Sequence, residues 1–161
     1  MDFRITGLPP DRFTPLFELS DAELAIHGAK RMIVEEASAV PCRVSLEEAA
    51  LGEEVLLLPY QNVDGPSPYQ STGPIFVRRS AHAAAQLEGR IPEMQRRRLS
   101  AVRAYDEQGW MLESDVVAGT ELESRIRRLL ADPQVQFLNV HNARPGCFAF
   151  RVDRAPLRGC R

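Results

Sequence analysis

Two short stretches carry side chains able to do chemistry. In Pro41-Cys42-Arg43 a thiol stands beside a guanidinium. A cation or a helix N-terminus near sulfur stabilises the thiolate, which is the nucleophilic form. The plainer reading of Cys42 is a small buried hydrophobe. In His141-Asn142-Ala143-Arg144-Pro145-Gly146-Cys147, polar groups gather at a strand end stiffened by Pro-Gly. There His141 suits a general base or a hydrogen bond to a ligand, Asn142 an orienting amide, and Cys147 falls across the turn from His141. Turn chemistry alone would also account for Asn142, Pro145 and Gly146.

Arginine supplies the third feature. Arg43, Arg78, Arg79 and Arg144 all fall at strand ends or in loops, and converging guanidinium forks grip a carboxylate or phosphate. A solvated surface is the bland reading. These features together predict a cleft for a small anionic or polar metabolite. Its candidate catalytic groups are Cys42 and His141, and its ligand contacts are Arg43, Arg78, Tyr105, Asn142 and Arg144. The sharpest expectation is that Cys42-Arg43 and His141-Asn142 meet at one site. The rival is a non-catalytic interaction protein, in which the same residues only hold loops together. Tyr69, on the Pro-stiffened loop Ser67-Pro68-Tyr69, suits either a lid over a pocket or an anchor for the loop.

Several chemistries lack their signatures. No GxGxxG follows a strand, and GxxxxGK[ST], HExxH and GxSxG are missing, so no cofactor is expected. His27, His82 and His141 lie far apart and the three cysteines are scattered, so no metal site is expected. Arg96-Arg97-Arg98 lacks interleaved aromatics in a chain of net charge −2, which reads as solvated charge, with no nucleic-acid partner. The aliphatic run Val55 to Leu58 is far too short to span a membrane. The start, Met1-Asp2-Phe3-Arg4-Ile5, does not resemble an export signal, so a cytoplasmic protein with free thiols is expected. Oligomeric state is left open.

These residues need a scaffold. A chain of 161 residues has the size of a single domain over 1–161, with 155–161 read as a frayed tail. Such a chain buries roughly 70% of its unfolded surface, enough for a core without staples. Phe3 to Thr6 and Lys30 to Glu35 read as strands. Phe13 to Phe17 reads as a short turn of helix, and Ser20 with Glu23 as a capping box whose helix uses Leu24 and Ile26 as apolar contacts. Ser45 with Glu48 repeats the box, predicting a helical turn that ends at Gly52. Val55 to Leu58 and Ile75 to Val77 are strands around a loop over 61–73. Ala81 to Leu87 favours helix by propensity. Leu99 to Tyr105 and Trp110 to Val117 form one hairpin, and Val135 to His141 and Cys147 to Asp153 another. In the last strand Phe148, Phe150 and Val152 are assigned to one face. Between the hairpins, Thr120 and Glu123 cap a helix bearing Leu122, Ile126, Leu129 and Leu130. The pattern predicts an α+β fold, a mainly antiparallel sheet of hairpins with two or three helices packed on it.

One combination of residues is familiar. Pro41-Cys42-Arg43-Val44-Ser45-Leu46, Tyr60, Ser67-Pro68-Tyr69, Ile75-Phe76-Val77-Arg78, Arg103-Ala104-Tyr105-Asp106, and His141-Asn142 with Gly146-Cys147 together resemble a bacterial family of short proteins, a domain of unknown function. The resemblance runs from Phe3 to about Arg154. It implies a free-standing bacterial protein whose Cys42-Arg43 and His141-to-Cys147 segments belong to the family pattern. It implies no particular activity, cofactor or catalytic residue.

Overall fold

In the computed structural model, which describes residues 2–155, nine strands form two antiparallel sheets. The larger has six strands in the order β5-β1-β9-β8-β6-β7: Gln86–Glu88, Phe3–Thr6, Phe148–Arg154, Phe137–Asn142, Leu99–Tyr105 and Met111–Ala118. The smaller has three, β2-β3-β4: Lys30–Ile33, Glu54–Gln61 and Thr72–Arg78. Three α-helices accompany them, α1 (Asp21–Ile26), α2 (Glu93–Arg96) and α3 (Leu122–Leu129), with two 3-10 turns at 10–18. The fold is therefore α+β, dominated by antiparallel sheet.

Each face of the large sheet has its own core. Against one face, α3 buries Leu122, Ile126 and Leu129 on Phe3, Ile5, Val102, Leu138, Val140, Phe150 and Val152. Against the other, the small sheet brings Leu56, Leu58, Ile75 and Val77 to Phe148, Phe17 and Leu24. Alternation along an ordinary strand would keep Phe148 and Phe150 on one face. The β8–β9 register shifts between Val140, paired with Phe150, and His141, paired with Phe148. An extra residue, Ala149, thus separates the pairs in the manner of a β-bulge, and Phe148 turns to the second core.

Local signals held where nothing distant competed. Ser20 caps α1 with both halves of the capping box in place. Only Leu24 of that helix is buried, however, and Ile26 is 84% exposed, so Ile26 is no core contact. Three expectations gave way, two of them to tertiary contacts and the third to a pair within its own helix. Ser45-x-x-Glu48 caps no helix: Leu46 takes φ 54°, Ser45 accepts from Arg78, and Glu48 pairs with Arg98 at 2.5 Å. Ala81 to Leu87 is not helical, and Gln86–Glu88 instead adds an edge strand to β1. At α3 the N-cap is Glu121 without a side-chain bond, and Glu123 reaches forward to Arg127 at 3.0 Å. From residue 156 on, the expected frayed tail lies outside the described residues, as does Cys160.

Candidate functional site

The segment after β2 is pinned from both sides. Cys42 makes a parallel bridge with Phe76 on β4, Arg43 N–H donates to the Phe76 carbonyl at 3.0 Å, and Leu8 N–H donates to the Arg43 carbonyl at 2.8 Å. Gly7 permits this approach: a Cβ there would stand 1.9 Å from the Val44 carbonyl oxygen. With the backbone held, successive side chains diverge. Cys42 drops into the second core, wholly buried, its Sγ accepting from the Val44 and Arg78 amides at 3.4 Å. Arg43 crosses to the large sheet.

Arg43 is 1% exposed and no carboxylate answers its charge among the described residues. Its Nε donates to the Phe148 carbonyl at 2.7 Å, Nη1 to the Pro41 carbonyl, and Nη2 to Cys147 Sγ at 3.2 Å. Burial pulls its pKa below the ordinary value, against the pull of the Cys147 sulfur. A guanidinium nonetheless stays a cation at neutral pH.

The second half of the site is the β8–β9 turn. Gly146, at φ 78°, closes it by donating to the Asn142 carbonyl at 2.8 Å, and Asn142 N–H donates to the Cys147 carbonyl at 2.9 Å. Asn142 Nδ2 lies 3.4 Å from Cys147 Sγ, so amide and guanidinium converge on one sulfur. The Asn142 Oδ1 has no partner among the described residues, although the residue is only 6% exposed.

These groups line a cleft of about 640 Å³ where the turn, the start of β6 and the 39–43 segment meet the small sheet. Its apolar floor is Leu57, Pro74, Phe76 and Leu99, and its polar wall is Arg43, Arg97, Arg98, Asn142, Arg144 and Cys147. Arg98 is committed to Glu48 and to the Ser38 carbonyl. Arg97 and Arg144 are exposed and meet no carboxylate among the described residues. Among the described residues the wall thus holds four cations and no acid, amine or imidazole.

The structure brings together Arg43, Asn142 and Arg144, and places the other predicted site residues elsewhere. His141 is buried off the cleft, because neighbouring strand residues point to opposite faces. Its Nδ1 faces the Gly146 carbonyl at 3.0 Å, its ring sits edge-on to Phe148, and Nε2 has no partner. Burial, chiefly, pushes its pKa down to about 4. Arg78 is held by Glu53 at 2.9 Å and Glu47 at 3.0 Å. Tyr105 is buried at the far end of β6, stacked on Phe137 at 5.0 Å. Tyr69 sits edge-on to Tyr105 and Trp110, and Ser67 donates to the Gly109 carbonyl, so that loop is anchored to the β6–β7 turn.

Sequence reasoning passed over Arg97, Arg98 and Cys147 as site residues. The signal for the arginines lies in pairing: Ser100 stands opposite Asn142, so the residues preceding β6 must lie by the β8–β9 turn. Cys42 and Cys147 are both free thiols. Among the described residues no three His, Cys, Asp or Glu gather as a metal site, and no helix is long and apolar enough to cross a membrane.

Comparison with curated proteins and with solved structures finds no match. One family does match, over residues 39–154, a span that takes in every residue of the cleft. The chain belongs to that family, described as protein of unknown function (DUF1203).

Proposed function

We propose that this protein binds, or acts on, a small anionic metabolite in the cleft between the β8–β9 turn and the small sheet, as a bacterial cytoplasmic protein. The observation that carries the reading is the unanswered charge. A buried guanidinium with no carboxylate, beside a buried amide oxygen with no partner, opens onto a wall of further arginines. Buried polar groups are ordinarily satisfied, and a carboxylate or phosphate meets the donors of such a wall. A carboxylic acid or hydroxyl on the same ligand would satisfy Asn142 Oδ1. The apolar floor suits a short hydrocarbon skeleton.

The rival reading, polar residues that merely tie loops together, accounts for two of the three Arg43 contacts, those to the Phe148 and Pro41 carbonyls. It does not account for Arg97, Arg144 or Asn142 Oδ1. A thermal-shift screen of small carboxylates and phosphates decides between the two. A ligand at about a hundred times its Kd adds about 2.7 kcal/mol, a Tm rise of roughly 5–10 °C for a domain of this size. The rise should shrink in Arg97→Gln/Arg144→Gln. If no small anion moves Tm, the binding reading fails and the structural one stands.

A further inference from the structure

We infer that Cys147 is the reactive thiol of the cleft and exchanges with an anionic low-molecular-weight disulfide. The inference rests on the cleft being the anion site proposed above. Cys147 is half-buried on the cleft wall, whereas Cys42 is wholly enclosed. Arg43 Nη2 reaches the Cys147 sulfur at 3.2 Å and Asn142 Nδ2 reaches it at 3.4 Å. Both groups donate to the sulfur, and a thiolate accepts such donors more strongly than a thiol. The independent pointer to a ligand is Asn142 Oδ1, an unpartnered acceptor on a residue only 6% exposed that lines the same cleft.

The composition of the wall selects the reaction. Acyl transfer and hydrolysis need a proton donor for the leaving group and a base for water. Among the described residues the cleft offers no carboxyl, imidazole, amine or phenol. Thiol–disulfide exchange needs neither. The Cys147 thiolate attacks one sulfur of the disulfide, a new Sγ–S bond forms, and the old S–S bond breaks. The electron pair leaves with the second sulfur as a thiolate. Cys147 is oxidised to the disulfide level and the departing half is reduced; the proton of the Cys147 thiol goes to solvent before the attack, and the departing thiolate can take one from solvent. Among the described residues no second cysteine lines the cleft, so the mixed disulfide persists until an external thiol reverses the step. Arg97 and Arg144, at the exposed rim, make an anionic disulfide the favoured partner.

The test incubates the reduced full chain with oxidised glutathione (anionic), hydroxyethyl disulfide (neutral) or cystamine (cationic), and maps adducts by peptide mass spectrometry. Each rate is divided by that of the urea-unfolded chain, which removes the intrinsic reactivity of the reagent. The expected result is an adduct on Cys147, formed about tenfold or more faster with oxidised glutathione than with cystamine. That preference should fall with salt and in Arg97→Gln/Arg144→Gln. A Cys147 rate blind to reagent charge, or no Cys147 adduct, overturns the inference. Cys147→Ser separates the two ideas. If this variant still gains Tm with succinate while the wild type forms no adduct, exchange alone is overturned. If no anion moves Tm in either chain and the adduct rate is blind to charge, the binding reading falls with it.

Discussion

At the scale of single residues, Arg43 shows how adjacency in sequence misleads about adjacency in space. Pro41-Cys42-Arg43 reads as a thiol activated by its neighbour, yet the guanidinium meets a different thiol, 104 positions away. The motif was legible; the partner was not, because a pinned extended segment sends successive side chains in different directions. The contacts also define what Arg43→Ala does. The variant leaves the Phe148 and Pro41 carbonyls without their donor in a buried place, which should destabilise by about 3 kcal/mol in urea melts. Arg43→Lys should recover part of that loss, since one ammonium cannot replace the fork. An unchanged urea midpoint for Arg43→Ala would refute the structural half of its role. His141 makes a separate pH prediction. Its folded pKa of about 4 lies below the ordinary 6.5, because burial opposes the charge and Arg103 and Arg43 add repulsion, against the pull of the Gly146 carbonyl. In the window between these values the unfolded chain binds more protons, so stability rises with pH. The contribution is complete above about pH 6.5 and is lost as pH falls toward 4, amounting to about 3 kcal/mol. His141→Asn keeps a nitrogen near the Gly146 carbonyl and removes the titration. Its stability, compared between pH 7 and pH 4, should fall by that much less than the wild type's. Equal pH slopes would show that His141 does not titrate as its burial implies.

At the scale of elements, what could be read depended on how local the deciding contact was. The Ser20 capping box, the Leu99–Val117 hairpin and the amphipathic face of α3 are set by near neighbours, and all were legible. Ser45-x-x-Glu48 has the same sequence grammar as Ser20-x-x-Glu23 but a different outcome. Arg78 and Arg98 take its hydroxyl and carboxylate, and the segment is spent on bridging Phe76 and Leu8 instead. The shift of Phe148 to the second core was equally invisible, since a β-bulge leaves no pattern in a run such as Phe148-Ala149-Phe150. Gly7 carries the element-scale prediction. A methyl at its Cβ position would stand 1.9 Å from the Val44 carbonyl oxygen and 3.0 Å from the Ala85 amide nitrogen, both backbone atoms. Gly7→Ala must therefore push the 41–46 segment off the end of β1. The expected cost is about 1–3 kcal/mol, as for overpacked sites. Because Arg43 rides on that segment, the variant should also slow exchange at Cys147 in the folded state. A variant as stable as the wild type would show that the segment moves away without cost.

At the scale of the whole molecule, the large sheet is the shared wall of both cores, and this sets how the protein comes apart. Strand β9 gives Phe148 to the core with the small sheet, and Ala149, Phe150 and Val152 to the core with α3. The 41–46 segment does the same, with Val44 in one core and Leu46 in the other, so neither core can open without disturbing a strand or segment that serves both. Except for β5, pattern reading yielded the strands and the antiparallel pairing of the hairpins, but not their division into two sheets. Both sheets are built of the same antiparallel neighbours, and the long-range pairs β1–β5, β1–β9 and β6–β8 show which strands share a sheet. A cleft at the junction of the sheets was unreadable for the same reason. The shared wall predicts a single cooperative transition. Trp110, the only tryptophan, stands beside Tyr69 at the β6–β7 turn, and its fluorescence reports on that end. In urea its transition should coincide with that of far-ultraviolet circular dichroism. Ile126→Ala, which opens the core beneath α3, should shift both curves together by about 2–5 kcal/mol. A fluorescence midpoint that stays in place while the dichroism midpoint falls would mean that the core beneath α3 unfolds separately from the Tyr69–Trp110 end of the sheet.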